Sequence, residues 1–277
     1  MIQFDTRICE LGEGAFWHPE RKQFFWFDIL NRRLLTSGRD WRFDRMVSAA
    51  AWIDADRLLI ASETGLLTLD LETGAIADLI AVEADRPDTR SNDGRADRQG
   101  GFWFGTMGKR AETGAGSIYR FYRGQVTRLF ADISIPNAIC FAPDGRLAYF
   151  ADTALALVWA QPLDADGWPV GERRIFLDLN AEGLNPDGAV TDSEGGIWIA
   201  KWGAGAVMRY LPDGSRAQEI AVGGQHASCP AFGGADLGDL LVTTAREGIR
   251  APDQHQGLPW LVRPGVKGLA EPGVILK

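Results

Sequence analysis

The side chains with the clearest capacity for chemistry are oxygen donors. Glu13 stands between two glycines in GEGAFW, Asn92 follows Arg90 in RSNDG, Asn137 opens NAICFA, and Asp187 lies in NPDGAV. Small and apolar residues flank them. Two carboxylates and two amides drawn out of water need a cation or a hydrogen-bond donor, because like charges repel and lose hydration. Such an oxygen set suits one hard divalent cation: calcium first, then magnesium or manganese, with zinc and ferrous iron as softer alternatives. No His or Cys joins the set to point to zinc. Arg90 adds a guanidinium that could donate a fork of hydrogen bonds to a carboxylate or a polyol, unless Asp88 or Asp93 occupies it.

Other chemistries find no support. There is no GxSxG elbow, no HExxH and no GxxxxGK[ST] loop. NDGRAD lacks the alternating acids and closing Glu of an EF-hand loop. His18, His226 and His255 have no ligand spacing; His18 falls in a hairpin, His255 in a polar loop, and His226 near the start of an inner strand. Cys9, Cys140 and Cys229 are too scattered for a metal clip and read as buried free thiols. A formal charge of −8 argues against nonspecific nucleic-acid binding. With no apolar run near 18 residues, the expectation is a cytoplasmic chain without membrane contact.

What must position the oxygen donors is a repeat. Aromatic or β-branched runs recur at Phe24–Asp28, Leu58–Ser62, Gly101–Thr106, Ala148–Asp152, Ile197–Lys201 and Leu240–Thr244, at spacings of 34, 43, 47, 49 and 43 residues. A turn cluster precedes each: HPERK, DADR, DRQG, APDG, DSEG and DLGD. Six units of about 46 residues, each with room for four strands, predict an all-β, six-bladed β-propeller with four antiparallel strands per blade around a central channel. No linker composition divides the chain, so one domain over 1–277 is expected. A two-sheet sandwich is the competitor, and the even repeat disfavours it.

Counting back from each blade's first hairpin puts Glu13, Asn92, Asn137 and Asp187 in one column, with Ala49 and either Cys229 or Pro230 completing it. The segment before that hairpin is the innermost strand, so the column faces the axis. Singly, each residue has an ordinary explanation, since PDG also occurs as a plain turn at Pro143–Gly145 and Pro212–Gly214. Asp187 differs because its blade already turns at Asp192–Gly195. Most tryptophans should fill space between blades, and Trp202 is read the same way, with a ligand rim as its alternative.

LGEGAFWH, RSNDGRADRQGGFWFGTM, IPNAICFAPDG, NPDGAVTDSEGGIWIAKW and CPAFGGADLGDLLVTTAREG follow one another in order. From about residue 8 to 260 the chain resembles the gluconolactonase family, which includes regucalcin (senescence marker protein) and bacterial sugar lactonases. The resemblance implies a propeller with one divalent cation held by Glu13, Asn137 and Asp187, and a sugar held by Arg90 and Asn92. It implies hydrolysis of a sugar-acid lactone, such as a glucono-, galactono-, xylono- or arabinono-lactone, with Asp187 as general base. One departure follows Gly105-Thr106-Met107. Where vertebrate-type members carry acidic residues, this chain has Lys109 and Arg110, with Glu112 beyond. A solvated loop is expected there, and a more anionic lactone is the functional alternative.

Two other functions compete with a lactonase that acts on a small-molecule sugar lactone as a monomer. A calcium-dependent phosphotriesterase-like hydrolase would want an apolar pocket without the Arg90–Asn92 clamp. A non-enzymatic calcium-binding or regulatory propeller would show no lactone turnover.

Overall fold

A computed structural model describes residues 1–277. Six four-stranded antiparallel sheets follow one another along the chain, and the only helical pieces are 3₁₀ turns at Thr153–Leu155 and Asn180–Glu182. The inner strands are Gly12–His18, Val47–Trp52, Thr89–Ala96, Pro136–Phe141, Asn185–Thr191 and His226–Gly233, in blades 1 to 6. The aromatic runs are the second strands, one per blade, so the expected six-bladed propeller is observed. Ile2–Gln3 pairs with Trp260–Val262 as the outermost strand of blade 6, tying the beginning of the chain to its last sheet.

Alternation along each strand sends side chains to both blade faces. Large apolar residues fill the gaps: Trp26, Trp103 and Trp198, all on second strands, are fully buried. The glycine-rich turns carry their own fasteners. Asp97 accepts the turn amides of Gln99 and Gly101 and pairs with Arg120, both side chains fully buried. Asp192 repeats this in blade 5 with Glu194, Gly196 and Arg209. The three cysteines are buried and unbridged, as expected.

Every inner strand shifts register against its second strand partway along. Such bulges re-aim side chains and increase twist. Glu13 and Asn137 are the last paired residues before the shift; Asn92 and Asp187 come one residue inside it. The same pairing corrects the rest of the column. Val47 opposes Ser62 as Gly12 opposes Asp28, so Ser48, not Ala49, is the counterpart of Glu13. In blade 6 Cys229 packs toward blade 1, and Ser228, directly after the last paired residue Ala227, takes the place.

The segment after Val262 runs across the face of the propeller where the inner strands end. Its backbone meets Leu237 and Ser193, then Trp52 and Gly100, so it touches blades 6, 5, 2 and 3 in turn. Glu271 pairs with Arg95 under the channel, with side chains 11% and 8% exposed.

Candidate active site

At the opposite face the column opens into a cavity of about 390 Å³ lined by Glu13, Arg90, Asn92, Asn137 and Asp187, together with Thr153, Lys109 and Glu247. All five residues expected to act together are therefore neighbours, each buried. Their strands enter this face in the same direction, and local hydrogen bonds aim them. Asp28 ends the first aromatic run and accepts from the amides of Glu10 and Leu11, just ahead of Glu13. Asp152 does the same for Ser134 and Ile135, just ahead of Asn137.

The residue after Glu13 is Gly14, at φ +54°, where a Cβ would strike the Ser48 carbonyl. Its counterpart after Asn137 is Ala138, also at φ +54°, a left-handed conformation that costs a non-glycine residue about 1 kcal/mol. This is strain stored beside the site.

Hydrogen bonds link blades 3, 4 and 5. Arg90 Nη1 donates to the Asn92 side-chain oxygen (2.8 Å) and to the Ser91 carbonyl (2.9 Å), not to Asp88 or Asp93. Asn92 Nδ2 donates to Asn137 Oδ1 and to the Pro136 carbonyl, both at 3.0 Å. Asn137 Nδ2 donates to Thr153 Oγ1 at 2.9 Å, and that hydroxyl donates to the Pro186 carbonyl beside Asp187.

The two carboxylates stand apart from this order. Glu13 accepts from the amide of Gly14 and shares a hydrogen bond with Asp187, and neither carboxyl forms an ion pair with a Lys or Arg. Burial pushes the Glu13 carboxyl up to about 8, with Asp93 adding to the shift. Burial and the nearby Glu13 raise Asp187 as well. Two buried carboxylates that resist ionisation, beside an amide and open to a cavity, form a donor set that fits a hard dication. No three His, Cys, Asp or Glu side chains are placed to hold a metal together, and beside the two carboxyls the third oxygen donor is the amide of Asn137. Burial lowers the pKa of Arg90, against the pull of Glu247, Glu13 and Asp187.

The departure from the family pattern also lies here. Lys109 Nζ pairs with Glu63 at 2.5 Å across the blade 2–blade 3 boundary. Arg110 is mostly exposed and held by Glu112, which does not line the cavity. Of the histidines, His18 binds the Asp54 carbonyl, His255 sits by Asp253, and only His226 comes near the site, stacked on Trp202. Counting from turns missed Glu247, Thr153 and Asp93. Asp93 accepts from the Gly94 and Ile139 amides and fastens blade 3 to the Asn137 strand. The one signal for Asp28 and Asp152 was that two of the aromatic runs end in Asp.

A propeller with an oxygen-lined, two-carboxylate cavity at one channel mouth defines the class, and comparison places the chain within it. It belongs to the SMP-30/Gluconolactonase/LRE-like region family, which matches residues 11–246. It is 44% identical to a calcium-binding protein, regucalcin, from Agrobacterium tumefaciens strain C58, over 99% of this chain and 97% of that one, with a TM-score of 0.95. An L-arabinolactonase of Azospirillum brasilense is 34% identical, covering 96% of this chain and 92% of the relative. A 6-deoxy-6-sulfogluconolactonase of Pseudomonas putida is 31% identical, covering 95% and 94%.

Proposed function

We propose that this chain hydrolyses a sugar-acid lactone to its open-chain acid in the cavity at the channel mouth. The observation that carries the reading is the placement of Glu13 and Asp187, neither in an ion pair, beside Asn137 within one cavity that also holds the donors Arg90 and Asn92. Glu13, Asn137 and Asp187 would hold the dication, calcium by donor type, which when bound polarises the lactone carbonyl.

The chain's own groups do the rest. Arg90 uses one nitrogen on Asn92 and Ser91, leaving its other N–H groups for substrate oxygens. Asn92 is locked by two hydrogen bonds and fixes where that guanidinium points. Asp187, free of any ion pair, takes the proton from the attacking water. As water adds to the carbonyl carbon, the ring C–O bond breaks and the proton passes to the departing ring oxygen. Products are one carboxylic acid and one new hydroxyl. The Arg90–Asn92 clamp disfavours the phosphotriesterase alternative, whose neutral apolar substrate would leave these polar groups unpaired.

The test is a pH-stat panel of five- and six-membered aldonolactones, using protein stripped with EDTA and re-supplied with single metals. Turnover that disappears with EDTA and returns with calcium is expected. Rates equal to the uncatalysed background for every lactone under every metal would refute the proposal.

A further inference from the structure

The cavity has a wall that the reaction described above does not use. Trp202 lines it at the end of the strand Ile197–Trp202, half-buried, while most other tryptophans of the chain are packed between blades. Its ring lies against His226 with centroids 4.1 Å apart and planes 27° from parallel. His226 opens the inner strand of blade 6, and its Nδ1 is buried without a hydrogen-bond partner. The imidazole is held by its stack on the indole and by the backbone of Glu247. Trp202 also packs against the cluster containing Leu11 and Ala245. Neighbours thus hold it from two sides. Glu247 faces the same cavity and is the leading opposite charge felt by Arg90, yet it pairs with no Lys or Arg.

A sugar ring has two kinds of surface. Hydroxyls project around its edge, and polarised C–H bonds cover its faces. The negative face of an indole attracts those C–H bonds, and a flat wall with few torsions loses little entropy on contact. A carboxylate that no cation has claimed is the natural acceptor for a hydroxyl. We infer that Trp202 and Glu247 form a sugar-ring subsite that selects polyhydroxylated lactones, Trp202 covering a ring face and Glu247 accepting from a ring-edge hydroxyl. His226 is a positioning residue that keeps the indole turned to the cavity. This rests on the lactonase reading and adds which lactones the site prefers.

The experiment compares D-glucono-1,5-lactone with δ-valerolactone, which has the same ring size and no hydroxyls. Trp202→Leu and Glu247→Gln should each raise KM for the gluconolactone about tenfold, with kcat within about threefold, and leave δ-valerolactone kinetics within about twofold. His226→Ala should reproduce part of the Trp202→Leu effect, about threefold in KM, and His226→Phe should restore it by replacing the stack. Equal losses on both lactones, or an unchanged KM for the gluconolactone, would overturn the subsite. A second readout separates this from the function itself. Saturation-transfer NMR with D-gluconate should show the C–H protons receiving magnetisation in the wild type and losing it in Trp202→Leu. That contrast with no lactone hydrolysed by the wild type would refute the lactonase reading alone. A wild type without saturation transfer, or a transfer Trp202→Leu leaves unchanged, would refute the subsite alone.

Discussion

The two ends of the channel treat buried carboxylates in opposite ways. Where the inner strands end, Glu271 meets Arg95, and the backbone of residues 267–275 bonds to four blades around that pair. Burial pulls the Arg95 guanidinium toward the neutral form, but Glu271 leads a set of acidic neighbours, Asp93 among them, that together more than reverse the shift. The turn aspartates Asp97 and Asp192 are likewise matched by Arg120 and Arg209. Where the inner strands begin, Glu13 and Asp187 form no ion pair, and Arg90 acts on them only from across the cavity. The buried turn and strap charges come with their ionic partners, whereas the two carboxyls at the cavity do not. A lone buried carboxylate is costly, so its persistence marks function rather than packing.

This contrast can be broken experimentally. The largest effect should come from Asp187→Asn, which removes the proposed proton acceptor and one of two repelling carboxyls. Lactone turnover should fall about 10³-fold, within the range for loss of a general base. Calorimetry of the metal-free variant should show a midpoint equal to or above that of the wild type. A midpoint lowered by several degrees would mean Asp187 is structural after all.

Glu271→Ala should do the reverse. It leaves Arg95 buried and alone, costing about 3 kcal/mol in urea denaturation. The kcat of the folded protein should stay within twofold by pH-stat. A comparable loss of kcat would show that the two channel ends are coupled.

Lys201 sharpens the comparison because it is buried and unpaired but does not face the cavity. Its Nζ has no hydrogen-bond partner and lies 4.7 Å from the centre of the Tyr210 ring. Burial brings its pKa down from 10.5 to about 7. The unfolded chain then holds a proton that the folded chain has released between about pH 7 and 10.5, so stability should rise with pH across that window. Lys201→Met should stabilise the protein by roughly 2 kcal/mol at pH 6, and the gain should shrink toward pH 10. Urea midpoints at three pH values check both points, and a pH-independent gain would assign the effect to packing.

The smallest effect concerns aim. Asp152→Asn keeps the size but weakens the acceptors for the Ser134 and Ile135 amides. It should cost about 1 kcal/mol and weaken calcium binding by titration calorimetry a few-fold. Loss of stability with unchanged calcium affinity would separate Asp152 from the positioning of Asn137.

The repeat was legible because its punctuation is local. A strand, a turn with Asp or Gly, and a second aromatic strand are written in adjacent residues, and six copies leave little choice of architecture. The column was legible for the same reason, since strand register is counted from the turn. It failed by one residue in blade 2, where the turn Asp54–Arg57 has no glycine to anchor the count. It failed again in blade 6, where the loop between Gly233 and Asp239 is longer. Glu247 and Asp93 stayed hidden because nothing in their local patterns sets them apart from surface acids.

By itself, then, the sequence determined the propeller and the residue types that gather at its axis. Short-range turn chemistry and alternation dictate both. Which of those residues meet, and with what charge balance, only the tertiary structure decided. Arg95 finds Glu271 across 176 residues, and Trp202 finds His226 across a blade boundary. Pairing over such separations is set by ring closure and by the bulge in each inner strand, which no count along the chain contains.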